Sequence, residues 1–228
     1  MKTNRGKGFK GAVAVALLPL CWGATVALGR VLEGSGAAQT FWVAALGGAA
    51  SWLSVYLLLP APMRLYVFGH ELTHALWTWL LGGRVKRLRV SAQSGYVVTT
   101  RGNFLVTLAP YFFPIYAAGV AVVYGAVDLL WGWSRHRVWF HLALGAAYMF
   151  HLTLTWQVLR TRQSDLASQG YLFSAVVIWL GNVGVLLCGI PLLTGRIGVP
   201  TALGWSLQET GSLLLRLGAG ARALAGYR

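Results

Sequence analysis

The sequence predicts an all-α membrane bundle of about six transmembrane helices with a membrane-associated β-hairpin. Two observations predict this fold class. Hydrophobic residues make up 57% of the 228 residues and charged residues only 11%, which excludes an ordinary soluble domain. The apolar residues also form runs of about 20, long enough to cross a bilayer as helices. We therefore expect a multi-pass integral membrane protein, with residues 1–228 forming a single polytopic domain.

The first two predicted spans are joined by a short glycine-containing connection. They cover residues 11–29 and 38–59, and Gly34-Ser35-Gly36 lies between them. Residues 11–29 follow a basic start, as the apolar region of a signal peptide does. The run is nevertheless long and lacks a clear small-x-small cleavage site. We therefore expect this segment to be retained as a transmembrane helix.

A third helix and a β-hairpin are predicted next. The helix covers residues 63–82, because Pro60-Ala61-Pro62 interrupts the preceding span and Gly82-Gly83 follows, and because proline is tolerated in a first helical turn. Two short runs of β-forming residues then flank Gln93-Ser94-Gly95, which predicts a hairpin over residues 84–101. These runs are residues 85–90 and 96–100. The alternative for this segment is an irregular basic loop.

The rest of the chain predicts further spans and a surface segment. The spans are residues 104–130, 138–160 and 170–193. Because Pro110 and Pro114 fall within the first of them, we expect this helix to be kinked or broken inside the bundle, where protein can satisfy the freed backbone groups. Residues 201–228 carry a loose apolar stripe with arginines nearby and are predicted to form an interfacial helix.

The third predicted helix carries an H-E-x-x-H pattern, His70-Glu71-Leu72-Thr73-His74. Positions i and i+4 stack one turn apart, so His70 and His74 can place two imidazole nitrogens on one metal ion, and Glu71 is left free to act on water at the metal. The alternative is a pair of core histidines beside a solvated glutamate. The apolar flanks offer Glu71 little water, and a charge in a bilayer costs about 2.5–3.5 kcal/mol. The pattern therefore favours a metal site.

A catalytic zinc site needs a third protein ligand and an open fourth position. Asp165 is the preferred candidate, because it directly precedes the last long span, where it can bind a metal or cap a helix. His151, inside the fifth span, is the alternative ligand, although a buried neutral histidine can instead bond a backbone carbonyl. The remaining candidates are Asp128, His136 and His141. We expect one Zn²⁺ per chain.

The formal net charge of +14 does not indicate nucleic-acid binding. The basic residues lie mainly between and beyond the apolar runs, without a patch interleaved with aromatic residues. That distribution is typical of contact with anionic lipid headgroups. Cys21 and Cys188 both lie in apolar runs, so neither a disulfide framework nor a thiolate metal site can be built from them.

The segment Gly69–Ala75 within an apolar helix, followed by Gly82-Gly83-Arg84 and the expected hairpin, resembles the site-2 protease family of intramembrane zinc metalloproteases. The resemblance covers about residues 62–193 and is to a compact form without a PDZ domain. It implies that the hairpin presents the substrate as an extended strand. It also implies that an aspartate of a later helix is the third zinc ligand, which Asp165 matches in chain order.

This resemblance implies a zinc metalloendopeptidase that hydrolyses peptide bonds of membrane-spanning protein substrates. Glu71 is then the general base, and one edge of the hairpin holds the unwound substrate by strand addition. The alternative is a non-proteolytic, zinc-binding membrane scaffold or regulatory protein of the same fold, acting within a larger membrane-protein complex. Metal transport is disfavoured, because only five acidic residues are available to line a path across the bilayer.

Overall fold

The computed structural model describes residues 2–91, 95–100 and 102–225, and it describes the side chains of residues 6–91, 95–100 and 102–224. The helices and strands are, in chain order, α1 (Lys2–Ser35), α2 (Gln39–Leu58), α3 (Met63–Leu80), β1 (Val85–Val90), β2 (Gly95–Thr99), α4 (Phe104–Leu108), α5 (Ile115–Trp131), α6 (Arg137–Leu159), α7 (Ser164–Gln169), α8 (Tyr171–Thr194) and α9 (Val199–Ala225). Short 3-10 turns, Ala109–Tyr111 and Trp133–His136, precede α5 and α6.

The predicted membrane fold is confirmed. Among the described residues, four helices are long and apolar enough to cross a membrane: α1, α2, α6 and α8. A fifth span is formed if Phe104–Tyr111 and Ile115–Trp131 are taken together, although they are bent by 82° at the break between them. This is the break predicted from Pro110 and Pro114. The protein is therefore a multi-pass integral membrane protein, with a number of spans close to the six expected.

The motif helix α3 does not reach the apolar character of these spans. Its 18 residues include Arg64, His70, Glu71 and His74, and these ionisable side chains interrupt the apolar sequence that a lipid-facing helix needs. Its buried residues include Tyr66, Gly69, Glu71, Thr73, His74, Ala75 and Thr78. The polar side chains of α3 are thus turned inward, where protein surrounds them.

The predicted hairpin is also confirmed. Strands β1 and β2 pair antiparallel, with Val90 opposite Gly95 and Val85 opposite Thr99. The register shifts between Val85 and Arg87, which is the signature of a bulge. Within the predicted turn, Gln93 and Ser94 lie outside the described residues, as do Arg101 at the end of the predicted hairpin and residues 226–228 of the predicted C-terminal segment.

The chain divides into two compact units, of which the first along the membrane core is formed by residues 39–168. Within it, α2 packs along α6 with backbones in close contact, because an added side-chain carbon at Gly48 would clash with the carbonyl of Leu142. Tyr66 of α3 packs in a core cluster with Phe150 and Leu154 of α6. This unit holds α3, the hairpin and Asp165.

The second unit comprises the residues up to 38 and those from 169 onward. Within it, α1 packs against both α8 and α9. Arg30 of α1 forms an ion pair with Glu209 of α9, and Lys10 donates a hydrogen bond of 2.5 Å to Gln169. Helix α9 covers most of the predicted C-terminal segment, and its interfacial placement stays a prediction.

Candidate metal centre

Helix α3 presents both motif histidines on one face. The rings of His70 and His74 meet edge to face, with centroids 4.9 Å apart, as the i, i+4 spacing requires. The hydroxyl of Thr73 donates a hydrogen bond of 2.7 Å to the carbonyl of Gly69, so it does not compete for the space in front of the histidines. Gly69 itself allows close packing, because a Cβ there would lie 2.5 Å from the ring of Tyr116.

Asp165 completes a group of three ligand atoms with these histidines. Its Oδ2 lies 3.6 Å from Nε2 of His70 and 3.5 Å from Nε2 of His74, and the three ligand atoms all lie within 4.8 Å of one another. Two donors bound to one tetrahedral zinc at about 2.0–2.1 Å are about 3.3–3.4 Å apart. The distances from Asp165 therefore fit a zinc ion closely, and the donor set of two imidazoles and a carboxylate is one that catalytic zinc uses.

The second nitrogen of each histidine is held differently. Nδ1 of His74 donates a hydrogen bond of 2.7 Å to the backbone carbonyl of Val106, which leaves Nε2 with a free lone pair for a metal. Nδ1 of His70 is buried and has no hydrogen-bond partner in the described part of the chain. Only His74 is therefore fixed directly by the protein.

Asp165 is positioned by a tyrosine at the helix break. It lies in the first turn of α7, and the hydroxyl of Tyr111 donates a hydrogen bond of 3.1 Å to its Oδ2. Tyr111 is fully buried, and its ring meets His70 edge to face at 5.2 Å. Burial raises the pKa of Asp165, but hydrogen bonds and charge interactions with His70 and His74 outweigh burial and leave this pKa well below its usual range.

Glu71 lies under the start of strand β2. Only 7% of its surface is exposed, and it interacts electrostatically with His74 and Asp165. A Cβ at Gly95 would lie 2.6 Å from Cγ of Glu71 and 2.9 Å from its Oε1. The absence of a side chain at Gly95 is therefore what allows the hairpin backbone to approach the carboxylate.

The other candidate residues lie outside this group of three. His151 of α6 is buried, and its Nε2 has no hydrogen-bond partner among residues 2–91, 95–100 and 102–225. His141 packs edge to face on Phe41 at 5.1 Å, and His136 accepts a hydrogen bond of 3.0 Å from Arg135. Asp128 lies in the last turn of α5. Within the described residues, the group that could hold a metal is His70, His74 and Asp165.

Sequence reasoning missed two residues that shape this site, Tyr111 and Gly95. Tyr111 directly follows Pro110 in the predicted helix break, and a polar aromatic residue at such a break is a signal that could have drawn attention to it. Nothing in the local sequence around Gly95 indicates its contact with Glu71, because that contact depends on how the hairpin folds back on α3.

A comparison with protein families matches this part of the chain. The model of the Peptidase M50B-like family covers residues 42–184, which is more than half of the chain and includes α3, the hairpin and Asp165. The chain belongs to this family. It is the site-2 protease family, a family of intramembrane zinc metalloproteases, and membership indicates a metallopeptidase. Searches of curated proteins and of solved structures found no significant match.

Proposed function

We propose that this protein is an intramembrane zinc metalloendopeptidase that hydrolyses peptide bonds of membrane-spanning protein substrates. The observation that supports this proposal most directly is the convergence of His70, His74 and Asp165, whose ligand atoms lie within 4.8 Å of one another. Glu71 follows the first of these ligands in sequence and interacts electrostatically with the other two. Membership of a metallopeptidase family supports the same reaction.

His70 and His74 would bind one zinc ion per chain through Nε2, and Asp165 would bind it through Oδ2, which leaves a fourth position open. Zinc held in this way makes water more acidic and polarises a carbonyl group. The carbonyl of Val106 holds the ring of His74 in place, and the hydroxyl of Tyr111 holds the carboxylate of Asp165. These contacts fix the directions of two of the three ligands before any metal binds.

Glu71 is the general base of the proposed reaction. Its carboxylate accepts a proton from the attacking water as the new carbon–oxygen bond forms, and it returns the proton to the amine as the carbon–nitrogen bond breaks. The mostly buried environment of Glu71 limits competing contacts with bulk water and strengthens its electrostatic interactions with the ligands.

The hairpin is the proposed binding element for the substrate backbone. A transmembrane helix hides its carbonyl groups in hydrogen bonds, so it must unwind locally before hydrolysis. Strands β1 and β2 form a two-stranded sheet, whose edges can pair with an extended peptide by strand addition. Because β2 begins against Glu71, a peptide paired with β2 passes close to the proposed base. Exposed basic side chains on β1, including Arg87 and Arg89, would contact anionic lipid headgroups.

The substitution Glu71→Gln tests the proposal. It preserves the size of the side chain and removes the basic carboxylate, so we expect zinc to stay bound while cleavage falls by about 10²- to 10⁴-fold. The assay measures cleavage of a co-expressed single-span substrate within its membrane segment, together with the zinc content of the purified protein. Glu33→Gln, the same change at an exposed carboxylate, is the matched control and should cleave as the parent does.

Two results would count against this proposal. Equal cleavage by the parent and Glu71→Gln would refute Glu71 as the base. A parent protein that holds zinc stoichiometrically but cleaves no member of a broad panel of single-span substrates would instead favour the zinc-binding scaffold of the same fold.

A further inference from the structure

The two histidines of α3 differ in the support given to Nδ1. A metal-bound histidine almost always donates its other N–H to a carboxylate, a backbone carbonyl or a water, which fixes the tautomer and the ring orientation. His74 meets this requirement through the carbonyl of Val106, at 2.7 Å. Nδ1 of His70 is buried without a hydrogen-bond partner among the described residues. The support for His70 must therefore come from something other than a direct protein contact.

A small cavity adjoins His70. Its volume is about 10 Å³, which is close to the space that one water molecule needs. Most of its wall is apolar and includes Pro110, Phe113, Ile115 and Phe150. A water in this cavity would be held only by the few polar groups that line it, so the identity of those groups decides whether the cavity is hydrated.

His151 of α6 lines the same cavity. Only 6% of its surface is exposed, and its Nε2 is buried without a hydrogen-bond partner within the described part of the chain. A buried nitrogen without a partner is unfavourable. One cavity of about the size of a water therefore has on its wall two histidines that each lack one hydrogen-bond partner.

We infer that one water molecule occupies this cavity, accepts a hydrogen bond from Nδ1–H of His70 and donates one to Nε2 of His151. Tyr66 also lines the cavity, and its hydroxyl, beside that of Thr155, can supply the third bond that a buried water typically makes. The inference rests on the proposed function, because it takes His70 to bind the metal through Nε2. His151 is then a positioning residue that acts through the water.

This arrangement assigns a role to a histidine that lies outside the ligand group. The bond from Nδ1–H of His70 keeps the proton off Nε2, so the lone pair of Nε2 is directed towards Asp165 and His74. With His70 and the hydroxyl of Tyr66 both donating to the water, its own hydrogens need an acceptor, and His151 offers one on an otherwise mostly apolar wall. His151 must therefore be neutral, with Nε2 unprotonated.

Zinc affinity tests the inference through a set of variants at His151. The affinity of the purified protein is measured by competition with a chelator of known zinc affinity. His151→Phe removes the acceptor and should weaken zinc binding by about 10- to 100-fold. His151→Gln restores an acceptor oxygen and should return the affinity to within a few-fold of the parent. The matched control is His141→Phe, which removes an equally buried histidine of the same helix and should leave the affinity unchanged.

Nitrogen NMR of the parent protein gives a test that needs no variant to fold. With ¹⁵N-labelled histidine, the zinc-bound parent should show His70 protonated at Nδ1 and His151 unprotonated at Nε2, and His151→Phe should speed the exchange of the Nδ1 proton of His70 with solvent. A protonated Nε2 in His151, or parent affinity in a folded His151→Phe protein that still loses zinc on His70→Ala, overturns the inference alone. Full zinc occupancy that survives His70→Ala overturns the proposed function as well.

Discussion

Removing the hydroxyl of Tyr111 should weaken zinc binding without unfolding the protein. Tyr111→Phe deletes one oxygen and leaves the buried ring in place, including its edge-to-face contact with His70 at 5.2 Å. The lost interaction is the hydrogen bond of 3.1 Å from this hydroxyl to Oδ2 of Asp165. Asp165 keeps its position on α7, but its carboxylate gains rotational freedom that zinc binding must then remove.

The size of this effect follows from the geometry of the bond. A hydrogen bond to a charged group contributes about 1.5–3 kcal/mol, and each 1.4 kcal/mol changes a dissociation constant about tenfold. At 3.1 Å the bond is longer than the strongest O–H···O⁻ bonds, which measure about 2.5–2.7 Å. The bond also exists before the metal binds, so only part of it acts on the affinity. We therefore expect a loss of about tenfold.

Competition with a zinc chelator measures this loss, and a second tyrosine provides the control. Tyr56→Phe removes a hydroxyl that donates to Gln157 at 3.2 Å, a similar bond to a neutral side chain away from the three ligands, and should leave the zinc affinity unchanged. Equal zinc affinities of Tyr111→Phe and Tyr56→Phe would refute the reasoning that Tyr111 positions Asp165.

Two further predictions concern the proposed base and the third ligand. Gly95→Ala introduces a Cβ 2.6 Å from Cγ of Glu71, so the hairpin or the carboxylate must shift, and cleavage should fall by up to about 10²-fold with zinc retained. Gly102→Ala, which meets no atom within 4 Å, is the control in the same cleavage assay, and equal activities would contradict the prediction. Asp165→Ala should strip most of the zinc in elemental analysis, whereas Asp128→Ala should not; the opposite pattern would exclude Asp165 as a ligand.

The local parts of the site could be predicted from the sequence. The spacing of His70 and His74 fixes their common face once the segment is helical, because helical geometry alone decides it. The bend before α5 was likewise predictable, because Pro110 and Pro114 cannot both continue a straight helix. The hairpin followed from its β-forming runs and the glycine between them.

The long-range parts of the site could not be predicted in this way. The choice between Asp165 and His151 depends on how α6 and α7 pack against α3, and both residues lie more than 75 positions from His74 in the sequence. Packing brings Asp165 within 3.5 Å of His74 and leaves His151 on the wall of a neighbouring cavity. The role of Tyr111 depends on an 82° bend, whose direction the prolines do not specify.

The central claim is that His70, His74 and Asp165 bind one zinc ion. Diffraction from crystals of the zinc-loaded protein, measured on both sides of the zinc absorption edge, locates the ion directly. We predict a single anomalous peak per chain, about 2.0–2.2 Å from Nε2 of His70, Nε2 of His74 and a carboxylate oxygen of Asp165. A peak coordinated by His151 in place of Asp165, or one that lies away from α3, would contradict the account.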